Sequence, residues 1–204
     1  MTGNTSIDAV LETADRLLPP RAAASAMPRL LVTCHRRESW RDGLSSIAAA
    51  VAELGSEGIA EIALVLPPNA FVAETMRRLL ADAPGVELLE PCGHDDMVRR
   101  MRDADLMLSD SGGVQEEAPA LGVPLLVLRS KTERPEAIAA GSALLVGTNK
   151  ERIIAEVRRL LGDPAARASM SRRVFPFGDG HAAERIAAIT ARWLDQLSST
   201  HRFG

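Results

Sequence analysis

Six short apolar runs recur along this 204-residue chain, and a stretch with helical spacing follows each one. The runs are Leu30–Thr33, Ile62–Leu66, Val86–Leu89, Leu106–Ser109, Pro124–Leu128 and Ala143–Val146. They are too short for helices and lack the polar alternation of a strand with one wet face, so they read as strands buried on both sides. Leu44–Leu54, Val72–Leu80, Asp95–Arg102, Val114–Leu121, Pro135–Ala140 and Lys150–Leu161 read as the intervening helices, with Ala165–Arg173 and Ala182–Leu197 after them. Strand–helix alternation of this kind demands a parallel sheet covered on both faces, the doubly wound, Rossmann-like α/β arrangement. Upstream, Ile7–Leu18 reads as a helix with Val10, Leu11, Ala14, Leu17 and Leu18 on one face. Pro19-Pro20 stops it, and Arg21–Pro28 is a small-residue linker. Residues 1–28 are therefore expected to be a linker helix and linker, and residues 29–204 the domain.

Composition narrows the ligand class. An apolar content of 46% can fill a core. Aromatics at 3% are too few for base-stacking platforms, and a net charge of −3 gives no general attraction to nucleic-acid backbones or anionic lipid. An anion, if bound, must be held by a local site. Cys34 and Cys92 fit no metal or redox spacing and suit a reducing, cytoplasmic compartment. No apolar run approaches a membrane span, and the N-terminus lacks the basic-then-apolar pattern of a secretory signal.

Ligands of doubly wound sheets sit beyond the C-terminal ends of the strands, which directs attention to three turns. The first is Asp110-Ser111-Gly112-Gly113-Val114-Gln115-Glu116-Glu117, between a strand and a helix. The amides of Ser111, Gly112 and Gly113 would face outward at a helix N-terminus, an arrangement that favours phosphate. Ser111 adds a hydroxyl, and Glu117 could accept from a pair of ribose hydroxyls. Ser and Asp also cap helices without any ligand. The second is Thr33-Cys34-His35-Arg36-Arg37-Glu38, whose cations suit a departing phosphate and whose His35 could give it a proton. The same string also suits a solvated basic loop. The third is Arg129-Ser130-Lys131-Thr132-Glu133-Arg134-Pro135-Glu136, where Arg134 would pair with a buried acid or with phosphate and Pro135 opens a helix. Phe177-Gly178-Asp179-Gly180 reads as a turn that caps the last helix.

Taken in order, Val32–Glu38, Asp110–Pro119, Arg129 with Thr132–Glu136, and Gly178–Gly180 resemble the non-hydrolysing UDP-N-acetylglucosamine 2-epimerases. Thr2–Asp8 looks like the linker that leads into the second domain of that family. The resemblance implies the C-terminal half of a GT-B fold, with the active site in a cleft against a first domain that lies outside this sequence. It implies that Ser111, Gly112 and Gly113 hold the diphosphate, that Glu117 binds the ribose, and that Arg36 and Arg134 lie near the phosphates. His35 would assist the UDP leaving group as the catalytic residue. In the family reaction UDP-N-acetylglucosamine becomes UDP-N-acetylmannosamine, a cell-surface polysaccharide precursor, by elimination of UDP and re-addition, with no metal or other cofactor. The carboxylates thought to move the C2 proton belong to the first domain, so this chain alone is expected not to epimerise.

Two local features depart from the family pattern. Pro67-Pro68-Asn69 replaces a Pro-x-His-x-Asn-Pro turn, and the aromatic common near Met97 is missing. The stripe Ala183, Ile186, Ile189, Trp193 and Leu197 needs a surface, in its own core, on a second copy, or on a separate N-terminal half. The alternatives to an epimerase half are a stand-alone UDP-sugar-binding regulatory module or inactive remnant, and half of another GT-B enzyme such as a hydrolysing epimerase or a glycosyltransferase.

Overall fold

The computed structural model describes residues 1–17, 27–35 and 42–200. Its sheet consists of β1 (Arg29–Thr33), β2 (Glu61–Val65), β3 (Val86–Leu89), β4 (Leu106–Ser109), β5 (Leu125–Val127) and β6 (Ala143–Leu145). The six strands are parallel in the order β3-β2-β1-β4-β5-β6. The chain winds outward from β1 to β3 and then returns to add β4 on the other side of β1. The order therefore reverses between β1 and β4, where the crevice of such a sheet opens.

Side-chain alternation sends the apolar runs to both faces at once. Leu30, Val32, Leu64, Leu106, Leu108 and Leu126 pack under α2 (Asp42–Glu57), α3 (Ala70–Leu80) and α7 (Lys150–Gly162). Leu31, Val65, Met107, Leu125 and Val127 face the opposite way. They pack under α4 (His94–Asp103), α5 (Gly112–Leu121) and α1 (Thr5–Arg16). This two-sided burial is why the strands show no polar alternation. Helix α1, drawn from the stretch expected to be a linker, lies against α4 and α5 with Ile7, Val10 and Ala14 buried. Leu18 and the rest of the expected linker through Ala26 lie outside the described residues.

The remaining helices are α6 (Pro135–Ala139), α8 (Pro164–Met170) and α9 (Ala182–Thr200). Helix α8 stops before the expected Arg173, because the chain turns back to α5 and the Val174 N–H donates to the Pro119 carbonyl at 3.0 Å. The cap on α9 does not come from the Gly-Asp-Gly turn. Asp8 of α1 accepts the amides of Ala182 and Ala183 at 3.1 and 2.6 Å. Asp179 instead forms a two-pronged pair with Arg185 at 2.6 and 2.7 Å, which holds its carboxyl below the usual carboxylate range. Gly178 is required for another reason. A Cβ there would come within 2.9 Å of the Asn4 amide nitrogen and 3.4 Å of Gly3 Cα, so the turn presses directly on the N-terminal segment. Among the described residues, no helix is long and apolar enough to cross a membrane.

Candidate functional site

Two turns meet at the switch point. At the ends of β1 and β4 the hydroxyls of Thr33 and Ser109 form a buried hydrogen bond of 2.7 Å. Directly beyond them lie His35 and the Asp110–Gly113 turn. Asp110 is fully buried, and its two carboxylate oxygens accept the His35 backbone amide at 3.0 and 3.1 Å. The His35 Nε2 stands 3.8 Å from the same carboxylate. The ring thus stands beside a buried carboxylate, while the backbone bonds hold the His35 main chain at the mouth of the turn. Cys34, between them in sequence, faces the core. Burial pushes its thiol up, with the Asp110 charge adding to the effect, so it is a packing residue rather than a nucleophile. Arg36 lies outside the described residues.

The cradle is built as the strand–glycine–helix string requires. Ser111 is the N-cap of α5, and its hydroxyl accepts the Val114 amide loosely at 3.5 Å. The Ser111 amide donates to Ser109 Oγ at 3.1 Å, so it belongs to the turn itself and is not aimed at a ligand. What α5 offers outward is the Ser111 hydroxyl and the amides of Gly112 and Gly113, which head the helix where N–H groups have no intrahelical partner. Glu117 folds back over this turn. A Cβ on Gly113 would lie 3.7 Å from Glu117 Oε1 and 3.9 Å from Ser111 Oγ, so carboxylate and hydroxyl converge above the glycine.

Burial raises the Glu117 carboxyl from its usual value, its neighbour Glu116 adds to the rise, and His94 at the start of α4 opposes it. A carboxyl raised in the folded state binds its proton more tightly there than in the unfolded chain. Stability is therefore lost as pH climbs from the unfolded value through the raised one. Glu117→Gln is expected to melt higher than wild type at pH 7, by roughly 2–4 °C for each kcal/mol relieved. The gap should close near pH 4, where both side chains are neutral. A variant that melts lower at pH 7 would mean the carboxylate is stabilised where it sits.

The third turn is fastened to the cradle. Arg129 pairs with Glu133 at 2.5 and 2.9 Å. Gln115, fully buried, donates to the Ser111 carbonyl at 3.0 Å and accepts from the Thr132 hydroxyl. Thr132 in turn accepts the Arg134 amide at 2.9 Å. The Arg134 guanidinium pairs through Nε with Glu116. Of the two sequence readings of Arg134, the structure shows the acid partner: Glu116, on the helix that Gly112 and Gly113 head. Sequence reasoning missed Gln115, Glu116, Asp110 and Asn4 as parts of the site. Their signal lay in polar residues placed where a helix start and a domain entry would be buried. Elsewhere, a cavity of about 220 Å³ opens at the N-terminal ends of β1 and β2, beside Arg29, Glu61 and Arg100. It lies at the wrong end of the strands for the ligand crevice of such a sheet.

Comparison with known proteins agrees with this construction. Residues 1–191 match the family model described as UDP-N-acetylglucosamine 2-epimerase. The UDP-N-acetylglucosamine 2-epimerase of Salmonella typhimurium is 42% identical over 199 residues, covering 91% of this chain and 53% of the relative. Among solved structures, the Neisseria meningitidis UDP-GlcNAc 2-epimerase bound to UDP-GlcNAc superposes with a TM-score of 0.87 at 33% identity. It covers 94% of this chain and 55% of the other. The S. aureus MnaA–UDP complex superposes with a TM-score of 0.85 at 34% identity, covering 96% and 54%. The chain spans about half the length of the curated relatives it matches. Its doubly wound sheet, its Asp110–Glu117 turn and these matches agree: the chain belongs to the UDP-N-acetylglucosamine 2-epimerase family.

Proposed function

We propose that this chain is the UDP-sugar-binding half of a UDP-N-acetylglucosamine 2-epimerase, and that turnover requires the other half that its relatives carry. The observation that carries the reading is the convergence of the Ser111 hydroxyl, the Gly112 and Gly113 amides and the Glu117 carboxylate at the sheet's switch point. Relatives that superpose on this fold are complexes with UDP-GlcNAc and with UDP. In this reading the helix N-terminus and the Ser111 hydroxyl take the diphosphate, and Glu117 accepts from the ribose hydroxyls. His35, whose main chain Asp110 holds, gives a proton to the phosphate oxygen as the bond to the sugar breaks. Arg134, and Arg36 from the turn after β1, supply positive charge beside the leaving group.

Thermal melts with UDP, UDP-N-acetylglucosamine and ADP test the reading. A ligand at about 100 times its dissociation constant adds ~2.7 kcal/mol, which for a domain of this size raises the melting temperature by on the order of 5–10 °C. The expected result is such a rise with UDP and little with ADP. No rise with any nucleotide would mean that the chain alone is not a binding half: either the other half must close the cradle, or the site is lost and only the fold is kept.

A further inference from the structure

Asn4 makes three bonds at once. Its side-chain oxygen accepts the Ser6 amide at 2.9 Å and caps α1, and its backbone carbonyl takes the Ile7 amide at 3.0 Å. Its side-chain nitrogen donates to Glu116 Oε2 at 2.5 Å, across 112 residues of sequence. The Gly178 turn runs so close to its backbone nitrogen that a Cβ on Gly178 would clash. Glu116, with a side chain 11% exposed, spends its other oxygen on Arg134 Nε. Asn4, Glu116 and Arg134 thus form a relay from the entering segment of the chain to the rim of the cradle. Arg134 is held at both ends, since its amide is fixed through Thr132 to Gln115. Besides Nε, its described bonds include only a donation from Nη1 to the Glu133 carbonyl at 3.3 Å. A guanidinium has five N–H groups, so most of its donors remain for another acceptor.

We infer that Asn4 and Glu116 are positioning residues of the diphosphate site: they aim the Arg134 guanidinium, so a residue at the domain entry sets phosphate affinity. The inference rests on the reading that the Ser111–Gly113 turn takes the diphosphate. A flexible arginine must be ordered when a ligand arrives, whereas one already clamped by a buried carboxylate meets the phosphate preorganised. Asn4 matters because it anchors that carboxylate without altering the net charge.

Asn4→Ser separates this role from capping, because serine caps a helix start as well as asparagine but lacks the amide donor. UDP affinity would be measured by calorimetry for wild type, Asn4→Ser, Arg134→Ala and the double variant. The expected result is that Asn4→Ser weakens UDP binding by about 3–10-fold, a size typical of side chains coupled in one network, with the ligand-free melting temperature nearly unchanged. In the Arg134→Ala background the same substitution should have no further effect. An equal loss in that background, or no loss in wild type, would overturn the relay while leaving the cradle standing. Failure of wild type to bind UDP would overturn the cradle and the relay together.

Discussion

Replacing Ser111 and Gly112 together by aspartate should abolish UDP binding while leaving the fold intact. The cradle offers the Ser111 hydroxyl and the Gly112 and Gly113 amides from the head of a ten-residue helix. A diphosphate there accepts charge-assisted hydrogen bonds and meets the positive end of the helix dipole. Two carboxylates in the same place repel it and displace the donors. Losing two hydrogen bonds to a charged group, at about 1.5–3 kcal/mol each, lowers affinity by roughly 100-fold or more. The substitutions are mild for the protein itself. Aspartate is a good N-cap and suits the first turn of a helix, and Gly112 is not among the positive-φ glycines. The ligand-free melting temperature should therefore hold while the UDP-induced rise disappears. Unchanged UDP affinity would move the diphosphate away from this turn, and with it the roles assigned to Glu117 and Arg134.

The cradle is legible in the sequence for a physical reason. A parallel sheet buried on both faces writes itself into the sequence as uninterrupted apolar runs, and all six runs became strands within a residue or two of their expected ends. Glycines between a strand and a helix announce close backbone approach in the same local way. The relations that stayed hidden are non-local. Nothing near Asn4 in sequence shows that its amide meets Glu116, and nothing near Asp8 shows that it caps a helix 174 residues later. The Ser111 amide looked available because neighbouring residues do not reveal that Ser109 points its hydroxyl back at it. Arg134 had two readings for the same reason: its acid partner lies 18 positions away on a different helix. Local propensity fixes elements, while the polar contacts that tune a site depend on how those elements are docked.

The isolated chain should show no epimerisation of UDP-N-acetylglucosamine, and an acid-bearing first half from a relative should restore it. Inverting C2 requires a proton to leave one face of the sugar and arrive on the other, so groups are needed on both sides of the substrate. The described carboxylates around the cradle are committed elsewhere. Asp110 is buried on the His35 amide, Glu116 is shared between Asn4 and Arg134, and the Glu117 carboxyl is disfavoured as an anion by burial. Helix α9 offers a surface for such a half. Among its residues 182–197 only the first, Ala182, is buried, while Ile186, Ile189 and Trp193 are 42%, 49% and 57% exposed. The stripe is therefore not part of this chain's own core, and we propose it as the surface that receives the other half. Burying an apolar side chain of this size is worth about 1.5–3 kcal/mol, so Trp193→Glu should weaken association by roughly 10–150-fold. UDP binding by the variant should match wild type, because α9 packs on α1 and Trp193 is exposed. Restored turnover that ignores Trp193→Glu would place the docking surface elsewhere. Turnover by the isolated chain would mean that one of the three committed carboxylates moves the C2 proton after all.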